Sequence, residues 1–132
     1  MSFFKQIYND LLSRFSIVIE DDGRVAYAYL LDDNTVVGDV WLYNNQETPE
    51  DIEWNKENMP FLNPKEYVKE EILPISDDSD IHVEWEVAED ADIEAKVFLR
   101  ETLIAKLAPF TSPGWSLLVE KDGPLAKRLE QV

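Results

Sequence analysis

The stretch Asp39-Val40-Trp41-Leu42-Tyr43 puts one carboxylate on the same strand parity as two large aromatic rings. A carboxyl buried among rings is pushed toward its neutral form and can then serve as a general acid. The same acid can instead be a structural acceptor for a tyrosine hydroxyl, an indole N–H or backbone amides, which is the commoner role. Tyr29, on the preceding apolar segment, shares that parity. Tyr29, Asp39, Trp41 and Tyr43 are therefore one candidate binding set. Glu84 and Glu86 are a second, because residues two apart on a strand share a face. A carboxylate pair can perform glycosidase chemistry across about 5–10 Å if a cleft holds both. Without one, the two acids are solvated side chains.

Other chemistries meet compositional limits. His82 is the single histidine and cysteine is absent. A conventional zinc site therefore lacks ligands, and a Ser-His-Asp triad would have to use His82. That histidine lies on the polar side of an alternating segment, where solvent exposure is the ordinary outcome. Asp77-Asp78-Ser79-Asp80 is dense enough in oxygens to suggest calcium but lacks the glycine that turns an EF-hand loop. The four glycines, Gly23, Gly38, Gly114 and Gly123, form no phosphate-cradling motif. No cofactor or metal is implied.

Charge points to a class of partner. The net charge is -16, from 28 acids and 12 bases. Residues 47–94 hold 17 of those acids and only three bases, Lys56, Lys65 and Lys69. Nucleic acid and anionic membrane, which need a basic footprint, would be repelled. A basic protein would be attracted and its encounter accelerated. The first 15 residues lack the pattern of a signal peptide, and no apolar run approaches the roughly 20 residues of a membrane span. A soluble cytoplasmic protein is expected.

The elements that must position these residues read as a single domain over 1–132. Phe4, Ile7, Tyr8, Leu11 and Leu12 follow a helical period, with Ser2 as N-cap, so an N-terminal helix is expected over 2–13. Three strands follow, at 15–20, 24–31 and 35–44. Their loops read as three-residue connections closed at Gly23 and Asn34, which pairs Glu20 with Arg24 and Leu31 with Thr35. That register puts Ile17, Ile19, Tyr27, Tyr29, Asp39, Trp41 and Tyr43 on one face. Ala26, Ala28, Leu30, Gly38 and Val40 form the other, where the small residues leave room for a helix. Thr48-Pro49-Glu50-Asp51 and Asn63-Pro64-Lys65-Glu66 have the grammar of helix starts.

A second strand set runs through 81–88, 92–100 and 102–110, with a tight turn at Arg100-Glu101. A last strand covers 115–120, and a short helix is expected after Pro124. Residues 16–40 align with 82–107 when two residues are added in the first loop and one is removed from the second. This is the pattern of a duplication, or of any two antiparallel meanders. The fold expected is α+β: a mainly antiparallel sheet of six to seven strands built from two three-stranded meanders. An N-terminal helix and short helices in the middle and at the C-terminus complete it.

The segments AYAYLLDDNTVVGDVWLYN (26–44) and SPGWSLLVEKDGPLAKRL (112–129) resemble the small acidic bacterial proteins that include immunity proteins of toxin–antitoxin-like systems. The resemblance implies a binding role and supplies no active site. The leading expectation is a non-enzymatic binding protein whose acidic 47–94 region engages a basic protein, in the manner of an immunity or inhibitor protein. The alternative is a small-molecule-binding protein or enzyme using the aromatic face around Asp39.

Overall fold

The computed structural model describes residues 3–10, 12–45, 48–51, 60–69, 78–87, 93–110 and 113–129. These build two sheets. The first contains β1 (Phe3–Tyr8), β2 (Phe15–Asp21), β3 (Val25–Asp32) and β4 (Thr35–Asn44) in that order, all antiparallel. The second contains β5 (Ile81–Val87), β6 (Ile93–Leu99), β7 (Thr102–Leu107), β8 (Trp115–Ser116) and β9 (Lys127–Arg128). Only the β8–β9 pair is parallel.

The α+β expectation is overturned. Among the described residues the one helical segment is a 3₁₀ turn at Asp78–Asp80. Residues 3–8 form a strand although FFKQIY does not alternate in polarity, because the open edge of β2 takes them as a partner from Phe3↔Asp21 to Tyr8↔Ser16. Asn9 fixes the return: its backbone N–H donates to Phe15 O, and its Oδ1 accepts from Leu12 N–H at 3.0 Å. Ser2 and Leu11 lie outside the described residues. Thr48–Asp51 is not helical, and 52–59, which would have continued it, lie outside the description. Residues 65–67 form a turn and Val68 bridges Val119. The expected C-terminal helix is replaced because its backbone is claimed by neighbours. Leu125 O accepts from Trp41 N–H, Lys127 N–H donates to Gly114 O, and Leu129 N–H donates to Ser116 O.

Both strand-pair expectations at the first meander needed correction. Glu20 pairs with Tyr27, not Arg24, so the hairpin tip is Gly23-Arg24. Gly23 has φ 92°, a value that glycine adopts without steric cost. The shift is odd, so Ile17 and Ile19 move to the face of Ala28 and Leu30. The second loop has two residues, Asp33 and Asn34, both at positive φ (47° and 71°). Such a loop should have reversed the parity of β4. A bulge at Val37 restores it, so Tyr29 still faces Asp39 and Tyr27 faces Trp41. A second bulge at Leu42 then sends Tyr43 to the opposite face, beside Ala26.

The inner face of the first sheet thus carries Ile17, Ile19, Ala26, Ala28, Leu30 and Val40, all buried. It packs on the second sheet, not on a helix. Ala95, Val97, Ala105 and Leu107 join the same core cluster, giving two stacked sheets with interdigitated inner faces. Gly114 sits at a close approach of the two layers: a Cβ there would stand 2.7 Å from Lys106 O and 3.3 Å from Val40 Cβ. The outer edge of β4 is covered by backbone bonds. Phe110 N–H donates to Val37 O and Gly114 N–H to Asp39 O, while Leu125 O receives Trp41 N–H. Leu117 N–H donates to Ile104 O on β7, so the same C-terminal segment stitches both sheets at one side.

The two meanders repeat in detail. The β6–β7 turn, Arg100-Glu101, has φ values of 48° and 71°, against 47° and 71° at Asp33-Asn34. Each turn is followed by two paired positions and then a bulge, at Val37 in one and Ile104 in the other. Ile17↔Leu30 corresponds to Val83↔Val97, and Ile19↔Ala28 to Trp85↔Ala95. The first loop is one residue longer in the second meander and the second loops are equal, which corrects the loop lengths expected from sequence.

Candidate functional site

The candidate residues fall into three separate places. Tyr29 and Asp39 are direct cross-strand neighbours on the outer face of the first sheet, and both are half-buried. Trp41 lies on that face but is fully buried. The Leu42 bulge brings Trp41 and Asn44 to the same side, and the indole N–H donates to Asn44 Oδ1 at 2.9 Å. Asn44 also receives Asn63 N–H and donates to Asn63 O and Thr48 Oγ1. All four hydrogen-bonding positions of the amide are therefore used. This node fastens residues 48 and 61–63 over the Tyr27–Trp41 end of the face, where the Tyr27 hydroxyl also donates to Phe61 O at 2.6 Å.

Tyr43 is elsewhere. Its hydroxyl donates to Asp21 Oδ2 at 2.8 Å on the inner face. Asn45 Nδ2 donates to the same oxygen at 2.6 Å, and Gly23 N–H donates to Asp21 Oδ1 at 2.8 Å. Asp21 is only 1% exposed. Among the described residues it is the buried carboxylate, and the sequence placed it in the first hairpin turn. One signal was available: Asp21 shares the parity of Ile17 and Ile19, the residues of β2 most completely buried.

Of the donors expected for Asp39, three are therefore spent on other acceptors: the Trp41 indole, the Tyr43 hydroxyl and the Tyr27 hydroxyl. The backbone of Asp39 is tied on both sides of its strand. Its carbonyl accepts from Gly114 N–H at 2.6 Å, and its neighbour Tyr29 sits in register. Burial, Glu20 and Asp39 together raise the Tyr29 hydroxyl above the usual tyrosine range. Burial and Asp21 raise that of Tyr43, and burial foremost raises that of Tyr27. All three phenols hold their protons through neutral pH.

Glu84 and Glu86 sit exposed on the outer face of the second sheet. Glu86 accepts from Lys96 Nζ at 2.6 Å, which lowers its pKa. Glu84 pairs across the strands with Lys96. They belong to a mixed-charge ladder with Glu94 and Lys106 (3.2 Å), and not to a cleft holding two facing acids. His82 stacks on Phe98, with ring centroids 4.9 Å apart. Asp80 pairs with Arg100 at 3.4 Å, and Asp77 lies outside the described residues. Among the described residues no cluster of three metal-ligating side chains occurs.

No family model, curated protein or solved structure matches this chain. Its chemistry must be read from its own surface. The outer face of the first sheet is the surface that its sequence did not disclose. Three cross-strand rows run over it: Phe4, Glu20, Tyr27 and Trp41; Gln6, Val18, Tyr29 and Asp39; Tyr8, Ser16, Leu31 and Val36. Phe4, Tyr8 and Val36 are 63%, 56% and 56% exposed. The helix expected at residues 2–13 concealed this, because a helix would not have set Phe4 beside Glu20.

Proposed function

We propose that this chain is a non-enzymatic cytoplasmic binding protein, of immunity or inhibitor type, whose acidic surface engages a basic protein. The observation that carries the reading is the charge distribution: 17 acids against three bases within residues 47–94, in a chain of net charge -16. Two carboxylates, the buried Asp21 and the sequence candidate Glu86, support it from the other side. Asp21 is held by three donors, and Glu86 is bound to Lys96. Trp41 and Tyr43 are packed with their polar atoms engaged, so they have no free group to offer a small molecule. Clustered acids give fast, salt-sensitive association with a cationic surface.

The test is affinity capture at low salt, followed by reconstitution from purified components. A basic protein should form a defined complex whose affinity falls steeply with ionic strength. It should weaken further when acids within 47–94 are changed to their amides. Capture of acidic partners only, or affinity indifferent to salt and to those changes, refutes the reading.

A further inference from the structure

From the geometry of the first sheet we infer that its outer face receives arginine side chains of the basic partner, each seated on an aromatic ring beside a carboxylate. The inference rests on the basic-partner reading above and gives it a place. Two ring–acid pairs stand as direct cross-strand neighbours: Phe4 with Glu20, and Tyr29 with Asp39. Side chains so placed have Cβ atoms about 4.5–5.5 Å apart. A planar cation can therefore lie over the ring while its N–H groups reach the acid. The three rows carry two acids and neither Lys nor Arg.

Three further observations agree. Phe4, Tyr8 and Val36 are the large apolar side chains this sheet leaves to solvent, and all three lie on this one face. The acids converge: both Glu20 and Asp39 act on the Tyr29 hydroxyl. A shallow open depression, lined by Phe3, Phe4, Glu20, Asp21 and Asp22, lies at the edge of this face where β1 meets the β2–β3 turn. An apolar face without charge would suit a second copy of this chain. Rows with two acids and no base of their own, beside an Arg24 already engaged by Pro60 O and Asp22, on a molecule of net charge -16, oppose self-association and favour a cationic occupant. Arginine fits better than lysine because its guanidinium both stacks and donates in a fork.

The probe is nona-arginine, titrated at low salt into the labelled full-length protein and followed by amide chemical shifts, with nona-lysine as comparison. Shifts should concentrate at Phe4, Gln6, Tyr8, Glu20, Tyr29 and Asp39. F4A and Y8S preserve net charge, yet each should weaken nona-arginine binding about two- to fivefold and affect nona-lysine less. E20Q should also weaken it, and circular dichroism should show all three variants folded. If the peptide binds, but shifts are confined to residues 47–94 and F4A and Y8S change nothing, the inference is overturned while the acidic-surface reading stands. If no binding occurs at low salt, both fall. If sedimentation shows a dimer that F4A and Y8S dissolve, the face is a self-interface and the inference is likewise overturned.

Discussion

Replacing Tyr43 by phenylalanine removes one oxygen atom and tests how the buried Asp21 carboxylate is held. Both residues are 1% exposed, and the hydroxyl donates to Asp21 Oδ2 at 2.8 Å. Hydrogen bonds to charged groups contribute about 1.5–3 kcal/mol, whereas neutral ones contribute about 1. Asn45 Nδ2 and Gly23 N–H would remain on the carboxylate, so Y43F should cost about 2 kcal/mol. With a urea m-value of roughly 2 kcal/mol/M, the unfolding midpoint should fall by about 1 M at unchanged slope.

D21N offers the internal comparison. Gly23 N–H keeps its acceptor. Asn45 Oδ1, which has no hydrogen-bond partner, can turn to accept from the new amide. D21N should therefore cost only about 1 kcal/mol. In that background Y43F loses a neutral bond, so the double-mutant cycle should show a coupling of about 1 kcal/mol. A Y43F variant within about 0.5 kcal/mol of the parent, with no coupling to D21N, would refute the view that this bond anchors the carboxylate.

Gly114→Ala should destabilise the fold by about 1–3 kcal/mol in urea unfolding, because its Cβ would meet a backbone oxygen at 2.7 Å that cannot swing away. Glu101→Gly should stabilise it by about 1 kcal/mol, read as a rise in melting temperature, since a non-glycine residue at φ 71° pays a left-handed penalty. Asn34→Gly at the same φ should gain less, because asparagine tolerates that region. Stability should also decline in alkali. Tyr27, Tyr29 and Tyr43 have pKa values raised in the folded state, against about 10 unfolded. Below pH ~10 both states hold these protons and the contribution is complete; above it the unfolded chain sheds them first and stability falls. Urea midpoints that stay flat from about pH 9 to 11.5 would contradict this.

The sequence by itself determined the strands that carry their own alternation. Residues 93–99 bury Ile93, Ala95, Val97 and Leu99, and 82–86 expose His82, Glu84 and Glu86, because period two leaves a direct mark on composition. The tight Arg100-Glu101 turn and the shared face of Tyr29, Asp39 and Trp41 were also legible, the latter with its turn misjudged. Tertiary structure decided the rest. Residues 3–8 show a helical period and no polar–apolar alternation, and pairing with the open edge of β2 overrode that pattern. Bulges at Val37 and Leu42 insert one residue each and leave no compositional trace, yet the first returned Asp39 to the side of Tyr29 and the second took Tyr43 away. The segment 110–129 is placed by its backbone, through N–H and C=O groups that every residue possesses, so no side chain announced it. Asp39, read in sequence as the acid among aromatics, is one half of an outer ring–acid pair with Tyr29. Among the described residues the buried acid is Asp21, which only the pairing of β2 with β3 could bring beneath Tyr43.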